Sequence, residues 1–164
     1  MWAVLKINKN QSEFLKLEFK KKFGEDFIFY TPKILIEKFK KNKLTKISQD
    51  ILNDYIFCYH SNFCKKSCVE ELKYSRGLKY FLIGFENYQK EIENFVNRCR
   101  SLENEKGLIT QSLFDLYIDQ TYKFNSGPFV DKIFKIINFE KNKINTLMGN
   151  IKTTIRKKKY IFSH

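Results

Sequence analysis

The sequence predicts an α+β fold, in which an antiparallel sheet flanked by helices is followed by a linker and a small all-β barrel. An apolar segment at residues 2–7 predicts a strand that leads directly into a helical pattern. Positions 92, 95, 96 and 99 place Ile, Phe, Val and Cys on one face of a further helix. After residue 112, short apolar segments alternate with turns, as is typical of small barrels.

The domain boundary is predicted where the apolar pattern stops. Between residues 103 and 112 the sequence consists mainly of Glu, Asn, Lys, Gly, Thr and Gln. This composition predicts a first domain at 1–102, a linker at 103–112 and a second domain at 113–164. A tail of about 50 residues is near the lower limit for an independent core, which favours a compact barrel.

In the first domain, strands are predicted at 2–7, 27–30, 33–39, 54–60 and 78–83. Helices are predicted to begin at Asn10 and Asn87, two residues that cap helices well, and a further helix is predicted at 62–74. In the second domain, strands are predicted at 113–118, 121–124, 133–139, 144–148 and 151–155. Turns at 125–128, 140–143 and 149–150 separate them.

The net charge of +13 indicates an anionic partner, with nucleic acid the first candidate. The chain has 27 Lys but only 4 Arg. Because the codons for Lys are AT-rich, the base composition of the genome is an alternative origin of the charge. Base recognition typically uses paired hydrogen bonds from the guanidinium group of Arg. Because the charge comes mainly from Lys, it predicts non-specific contact with nucleic acid. The candidate contacts are Lys40, Lys41, Lys43 and Lys46, in a predicted turn or hairpin tip at 40–46 whose alternative interpretation is a solvated loop.

Metal and cofactor chemistry have little support in the sequence. The four cysteines form no CxxC pair, which indicates a reduced, cytoplasmic protein rather than a disulfide scaffold. His60, Cys64 and Cys68 recur every four residues, but no fourth ligand is evident, so buried structural thiols are favoured over zinc. No cofactor and no metal are expected.

Enzymatic and membrane functions are not expected either. The chain has two histidines, no Gly-rich phosphate loop and no nucleophile elbow, so a non-enzymatic role is predicted. No apolar run approaches the length of a membrane span, and residues 1–2 lead directly into a strand, so no signal peptide is expected.

Two landmarks resemble the NusG family of transcription elongation factors. The chain begins with Met-Trp-Ala-Val-Leu, and the sequence Phe-Asn-Ser-Gly-Pro-Phe at 124–129 precedes a second apolar strand at 133–137. The order of these two features resembles the family's N-terminal domain followed by its KOW element. The resemblance implies a Tudor-like KOW barrel in the second domain and a specialised paralogue of the RfaH type.

The resemblance also implies a binding site for RNA polymerase. The segment Leu-Asn-Asp-Tyr-Ile-Phe at 52–57 resembles the strand with which the family contacts the polymerase clamp helices. It implies an outward-facing, aromatic-lined depression centred on Leu52, Tyr55 and Phe57. The alternative is that these side chains are core residues of the sheet, as strand aromatics usually are.

Two further sites follow from the KOW resemblance. Gly127, Pro128 and Phe129 form the implied KOW turn, in which Gly supplies a backbone conformation that a Cβ would obstruct. Residues Leu147, Met148 and Gly149 correspond to the loop that contacts Rho or a ribosomal protein in the family. The family's Phe and Arg are replaced in this loop, so those two contacts are in doubt and the KOW partner is unknown.

The function predicted from the resemblance is transcription elongation or antitermination. The first domain is expected to bind the RNA polymerase clamp helices as a monomer and to favour processive elongation, with basic residues near the nucleic acid of the transcription bubble. The alternative is a ribosome-type KOW protein that binds structured RNA through its phosphates.

Overall fold

The computed structural model describes residues 1–40, 43–110, 115–156 and 159–163. Over these ranges the helices are α1 (Ser12–Phe23), α2 (Lys66–Leu72) and α3 (Gln89–Ser101). The strands of the first half are β1 (Trp2–Ile7), β2 (Ile28–Tyr30), β3 (Lys33–Lys40), β4 (Lys43–Asp50), β5 (Tyr55–Tyr59) and β6 (Leu78–Phe81). The strands of the second half are β7 (Leu108–Ile109), β8 (Thr121–Phe124), β9 (Ile133–Glu140), β10 (Lys143–Met148), β11 (Ile151–Arg156) and β12 (Phe162–Ser163).

By their contacts, these elements divide into two compact units, and each unit is discontinuous in sequence. The first unit consists of Met1–Pro32 and Asp50–Asn97, and the second of Lys33–Gln49 and Arg98–His164. The predicted mixture of helix and sheet is confirmed. The predicted domain boundaries at 102 and 112 remain predictions. The two units are a different division of the chain, because each combines two separate segments of the sequence. In the described ranges, no helix is both long enough and apolar enough to cross a membrane.

The first unit is built on an antiparallel sheet with the strand order β2-β5-β1-β6. The central strand β1 is buried on both faces, which explains why its sequence is apolar throughout. Ala3 and Leu5 belong to the core on one face, whereas Trp2 and Val4 belong to the core on the other. Helices therefore have to cover both faces of this sheet.

The two cores of the first unit receive different helices. Leu15 and Phe19 of α1 and Leu72 of α2 complete the first core, and all three side chains are fully buried. Val96 of α3 is buried in the second core, where Phe95 packs beside it. Over residues 1–101, the order of strands and helices agrees with the sequence prediction except for β4.

His60 is a core residue at the end of β5. The residue is 2 % exposed, and its ring stacks on Phe27 with ring centroids 4.0 Å apart. Its Nδ1 accepts a hydrogen bond from the backbone N–H of Asn62, at 3.2 Å. Cys64 is exposed and Cys68 is buried, so the three residues spaced by four do not share one environment.

The burial of His60 predicts a pH-dependent stability of the first unit. Burial lowers the pKa of His60, and a protonated Nδ1 could no longer accept the Asn62 bond. As the pH is lowered, His60 is protonated in the unfolded state before it is protonated in the folded state. The free energy of unfolding therefore has its full value above about pH 6.5 and falls as the pH is lowered below that value. Denaturant titrations at pH 7.5 and 5.5 check this, and His60→Gln should remove most of the difference. An equal difference in that variant would contradict the prediction.

The second unit contains a hairpin that the sequence did not fully predict. Strands β3 and β4 lie in a sheet of order β4-β3-β7, in which β7 pairs with β3 in parallel through Lys33↔Leu108 and Ile34↔Ile109. The predicted turn at 40–46 is therefore wrong from Lys43 onward, where β4 begins. Nearly every residue of β4 is exposed, so the strand lacks the apolar alternation by which strands are predicted.

The rest of the second unit is an antiparallel sheet with the order β11-β10-β9-β8-β12. Its core is apolar and aromatic, and the fully buried members include Tyr122, Phe124, Phe134, Ile136 and Ile144. The strand predicted at 113–118 is wrong for residues 115–118, which form no strand, and residues 113–114 lie outside the described ranges. The closure of this sheet into a KOW barrel remains a prediction.

Candidate partner-binding face of the first unit

Tyr55 and Phe57 lie on one face of β5 and Ile56 and Cys58 on the other, but the outward-facing position implied for Phe57 is wrong. Phe57 does not face solvent: it is 5 % exposed and packs against Phe95 of α3, with ring centroids 5.7 Å apart. It also contacts Trp2 edge-on, at 6.5 Å. Phe57 is therefore a core residue, because α3 covers this part of the sheet face.

Two residues earlier, the same face emerges from beneath α3. Tyr55 is only half-buried, and its strand neighbours are Lys6 of β1 and, across β1, Tyr80 of β6. These three side chains form a row across the sheet, here called the tyrosine row. The Tyr55 and Tyr80 hydroxyls lie 3.0 Å apart, within hydrogen-bonding distance. The Lys6 ammonium lies 5.0 Å from the Tyr55 ring centroid and 5.7 Å from that of Tyr80.

The members of the tyrosine row influence one another's protonation. The interaction with Tyr55 raises the pKa of Lys6, so its ammonium remains charged. The hydrogen bond with Tyr80, together with the contact of Lys6, lowers the pKa of Tyr55, whereas the bond with Tyr55 raises the pKa of Tyr80. The row therefore presents two aromatic rings and one fixed positive charge to solvent.

A turn positions Tyr55 at the start of β5. The Tyr55 N–H donates to the Leu52 carbonyl at 3.0 Å, and Asn53 adopts φ +51°. Asn tolerates this left-handed conformation better than most residues. Leu52, at the start of this turn, is half-buried and packs in the same cluster as Tyr55. The Asp54 carboxylate pairs with Lys79 at 3.2 Å, and the hydrogen bond with Lys79 lowers the pKa of Asp54.

The edge strand β6 continues the exposed surface. Beyond Tyr80, which is 42 % exposed, Leu82 is 41 % exposed and Ile83 is 97 % exposed. A groove of about 530 Å³ runs along this edge beside α2 and is lined by Val69, Glu70, Lys73 and residues 79–83. Exposed apolar side chains grouped in this way are typical of a surface that binds another protein.

Lys6 and Tyr80 are functional candidates that the sequence did not reveal. Each lies on a strand predicted correctly in outline, at 2–7 and 78–83. Nothing in the sequence, however, indicates that β6 pairs with β1 rather than with another strand. Only the register Lys6↔Tyr80 brings the two side chains beside Tyr55.

The predicted nucleic-acid contacts belong to the β3–β4 hairpin of the second unit. Lys43 and Lys46 are exposed, and Lys46 lies 3.9 Å from Glu37, a distance at the limit of an ion pair. Lys41 and the side chain of Lys40 lie outside the described residues. The contact of these lysines with nucleic acid remains a prediction.

The predicted KOW turn is a compact loop in the second unit. Gly127 adopts φ +84° and donates its N–H to the Glu37 carboxylate, and a Cβ at this position would overlap the Tyr160 ring. The turn continues through Pro128, and Phe129 packs against the core of the five-stranded sheet β11-β10-β9-β8-β12. The requirement for glycine is therefore steric as well as conformational.

The predicted partner loop joins β10 to β11. Leu147 and Met148 are half-buried, and Gly149 is exposed with φ +58° at the tip of the turn. Met148 packs against the core of its sheet, so its side chain supports the fold as well as lining the loop. Its role in binding a partner remains a prediction.

No protein-family model and no curated protein matches this chain. Among solved structures, the crystal structure of an MjSpt4:Spt5 complex in conformation B is similar over 99 % of this chain and 96 % of that one, with 14 % identity and a TM-score of 0.29. A structure describing domain interaction in Thermotoga maritima NusG is similar over 94 % of this chain and 91 % of that one, with 12 % identity and a TM-score of 0.33. Values this low do not assign the chain to a family.

Proposed function

We propose that this protein is a transcription elongation or antitermination factor of the NusG type, and that its tyrosine row docks on the clamp helices of RNA polymerase. One observation carries the proposal: Tyr55, at the position implied by the family motif, lies where the sheet face is no longer covered by α3. The arrangement of one sheet between α1, α2 and α3 supports the same assignment.

The chemistry of the row suits a helical hairpin. Aromatic rings give a large contact area at little cost in side-chain entropy, and Tyr is among the residues that dominate binding energies at interfaces. Tyr55 and Tyr80 are held by their mutual hydrogen bond, so little ordering remains to be done on binding. The charge of Lys6 favours a partner helix that carries carboxylates beside its apolar residues.

The proposed action is regulatory and involves no catalysis. A factor that binds the closed clamp more tightly than the open clamp shifts the polymerase population toward the closed, elongating state. A difference of about 1–3 kcal/mol in binding free energy, typical of such coupling, changes the ratio of closed to open polymerase about 5- to 150-fold. No substrate, metal or cofactor takes part in this mechanism.

Substitution of Tyr55 tests the docking face. Tyr55→Ala is expected to weaken retention on core RNA polymerase by about 2 kcal/mol, which is about 30-fold in Kd, because it removes a central aromatic contact. Tyr55→Phe should retain most of the binding, since it loses only the hydroxyl. The measurement is co-purification, followed by titration of labelled protein with polymerase.

The matched control is Tyr117→Ala, which removes a 60 % exposed tyrosine from the second unit. It is expected to bind polymerase like the wild type. If wild-type protein is not retained, the proposed function is wrong. If Tyr55→Ala and Tyr117→Ala are retained equally, the function stands and the site is wrong.

A further inference from the structure

The positive charge of the chain is concentrated in one of its two compact units. The second unit has 19 Lys and Arg against 7 Asp and Glu, a net charge of +12. The first unit has 12 Lys and Arg against 11 Asp and Glu, a net charge of +1. Almost the whole of the +13 therefore belongs to the second unit.

This asymmetry separates the two explanations of the charge. Codon bias acts along the whole gene, so it should enrich Lys to a similar degree in two units of 80 and 84 residues. It gives no reason for the smaller number of acidic residues in the second unit. A field of one sign over one unit is instead typical of a surface that attracts a polyanion.

Part of this charge lies on the outward side of three adjacent strands. Strand alternation and the registers of β9, β10 and β11 place a set of polar side chains there, which we call the cationic face: Asn138, Glu140, Lys143, Asn145, Lys152, Thr154 and Arg156. The opposite side of the same strands carries the buried residues Ile136, Ile144 and Ile155. The cationic face is thus fixed by the core beneath it.

The cationic face has a net positive charge, because it carries three cations and one carboxylate, that of Glu140. Within the described ranges, Lys143, Lys152 and Arg156 form no ion pair, whereas neighbouring Lys135 pairs with Asp119 at 2.8 Å. Lys143 stands directly opposite Arg156 in the β10–β11 register and opposite Glu140 in the β9–β10 register. Like charges directly opposite each other destabilise a sheet, so an anion bound between them would relieve this repulsion.

A polar row divides these charges. The Asn145 amide donates to Asn138 Oδ1 at 2.6 Å and to Glu140 Oε1 at 2.9 Å, and the Thr154 hydroxyl donates to Asn145 Oδ1 at 2.7 Å. These groups line a shallow concavity of about 390 Å³. Residues two apart on a strand are about 7 Å apart, so Lys143 and Lys152 lie on either side of the row.

We propose that the cationic face binds single-stranded nucleic acid. The cations contact the phosphodiester backbone, while the Asn and Thr side chains reach bases or sugars. Such groups reach base edges on a flat sheet surface only if the bases are not already paired inside a duplex. The face is distinct from the tyrosine row and from the lysines of the β3–β4 hairpin, and the proposal does not depend on binding to polymerase.

The test uses the full-length protein alone with labelled 20-nucleotide RNA and DNA single strands, and with a duplex of the same sequence. The variant Lys143→Gln/Lys152→Gln/Arg156→Gln removes three cations from the face. The control Lys21→Gln/Lys65→Gln/Lys66→Gln removes three exposed lysines from the first unit. The two variants have the same net charge, so any difference between them reports location.

Wild type and control should bind single strands with a steep salt dependence. Losing three phosphate contacts should reduce the slope of log K against log salt by about 2, so that between 50 and 200 mM salt wild type loses about 20-fold more affinity than the face variant. Circular dichroism and thermal unfolding should show both variants folded. Conservative Lys143→Arg/Lys152→Arg should retain binding.

Three results would overturn the proposal. Equal binding by the face variant and the control would show that the cationic face is not the binding site. Equal affinity for the duplex and the single strands would show that the polar row does not contact unpaired bases. Equal affinity for polyglutamate and nucleic acid would show a surface for any polyanion. RNA and DNA bound alike would support recognition through the shared phosphate backbone, and tighter RNA binding would support contacts to the ribose hydroxyl.

Discussion

Replacing Phe57 by Ala is expected to destabilise the first unit by about 3–5 kcal/mol, the usual cost of deleting a buried Phe ring. The ring fills the space between the sheet and α3, where its neighbours are Trp2, Phe95 and Tyr30. Removing it leaves a cavity that these rigid aromatic rings cannot close. A loss of this size is comparable with the whole stability of a small domain.

The chain offers a specific probe for this measurement. Trp2 is the only tryptophan in the sequence, and it lies in the same cluster as Phe57. Its fluorescence during denaturant unfolding therefore reports the first unit. Ile28→Ala, which truncates a 48 % exposed side chain on β2, should cost less than about 1 kcal/mol and serves as the control. A similarly small loss for Phe57→Ala would contradict its burial.

This result also bears on the polymerase experiment. A Phe57→Ala variant that fails to bind polymerase would fail because the first unit is unfolded, and not because a contact is missing. Tyr55 lies two residues away on the same face but has an exposed hydroxyl, so Tyr55→Ala should remain folded. The pair of variants therefore separates folding from recognition.

Gly127→Ala is expected to destabilise the second unit by about 2–4 kcal/mol. Part of this loss is the strain of a Cβ at φ +84°, about 1–2 kcal/mol, and the rest is the overlap of that Cβ with the Tyr160 ring. Tyr160 belongs to the core of the five-stranded sheet and contacts Phe124 edge-on, with ring centroids 5.7 Å apart, so it cannot move without disturbing other rings. Hydrogen exchange of the β8 and β9 amides measures the effect.

Gly149→Ala separates the two causes. Gly149 also has a positive φ, of +58°, but nothing lies within 4 Å of where its Cβ would be. This variant should lose only the strain, about 1 kcal/mol. If the two variants lose equal stability, the overlap with Tyr160 contributes nothing and the steric explanation is wrong.

Elements with a clear apolar period could be predicted from the sequence. The alternation of β5 correctly placed Tyr55 and Phe57 on one face and Ile56 on the other. It could not show where on that face the cover ends, because the cover is α3, a helix that begins some 30 residues later. The expected exposure of Phe57 was therefore wrong, whereas Tyr55 is half-exposed and the binding site itself remains a proposal.

Elements stabilised by distant partners could not be predicted in the same way. Strand β4 is exposed and rich in Lys, so its residues resemble those of a loop. Strand β7 has two residues and lies in the predicted linker, and it exists because it pairs with β3. The tyrosine row and the cationic face likewise depend on strand registers, which link residues far apart in sequence.

The hairpin of β3 and β4 has a consequence for the order in which the protein is made. The Ile51 N–H donates to the Pro32 carbonyl at 3.0 Å, so the chain returns to its starting point after the hairpin. Glu37, however, meets its partner Gly127 only 90 residues later. As the chain leaves the ribosome, the first unit can fold once α3 has emerged, before the segments that contact the hairpin, β7 and residues 125–127, have been made. The hairpin is therefore synthesised well before the segments that complete its hydrogen bonds.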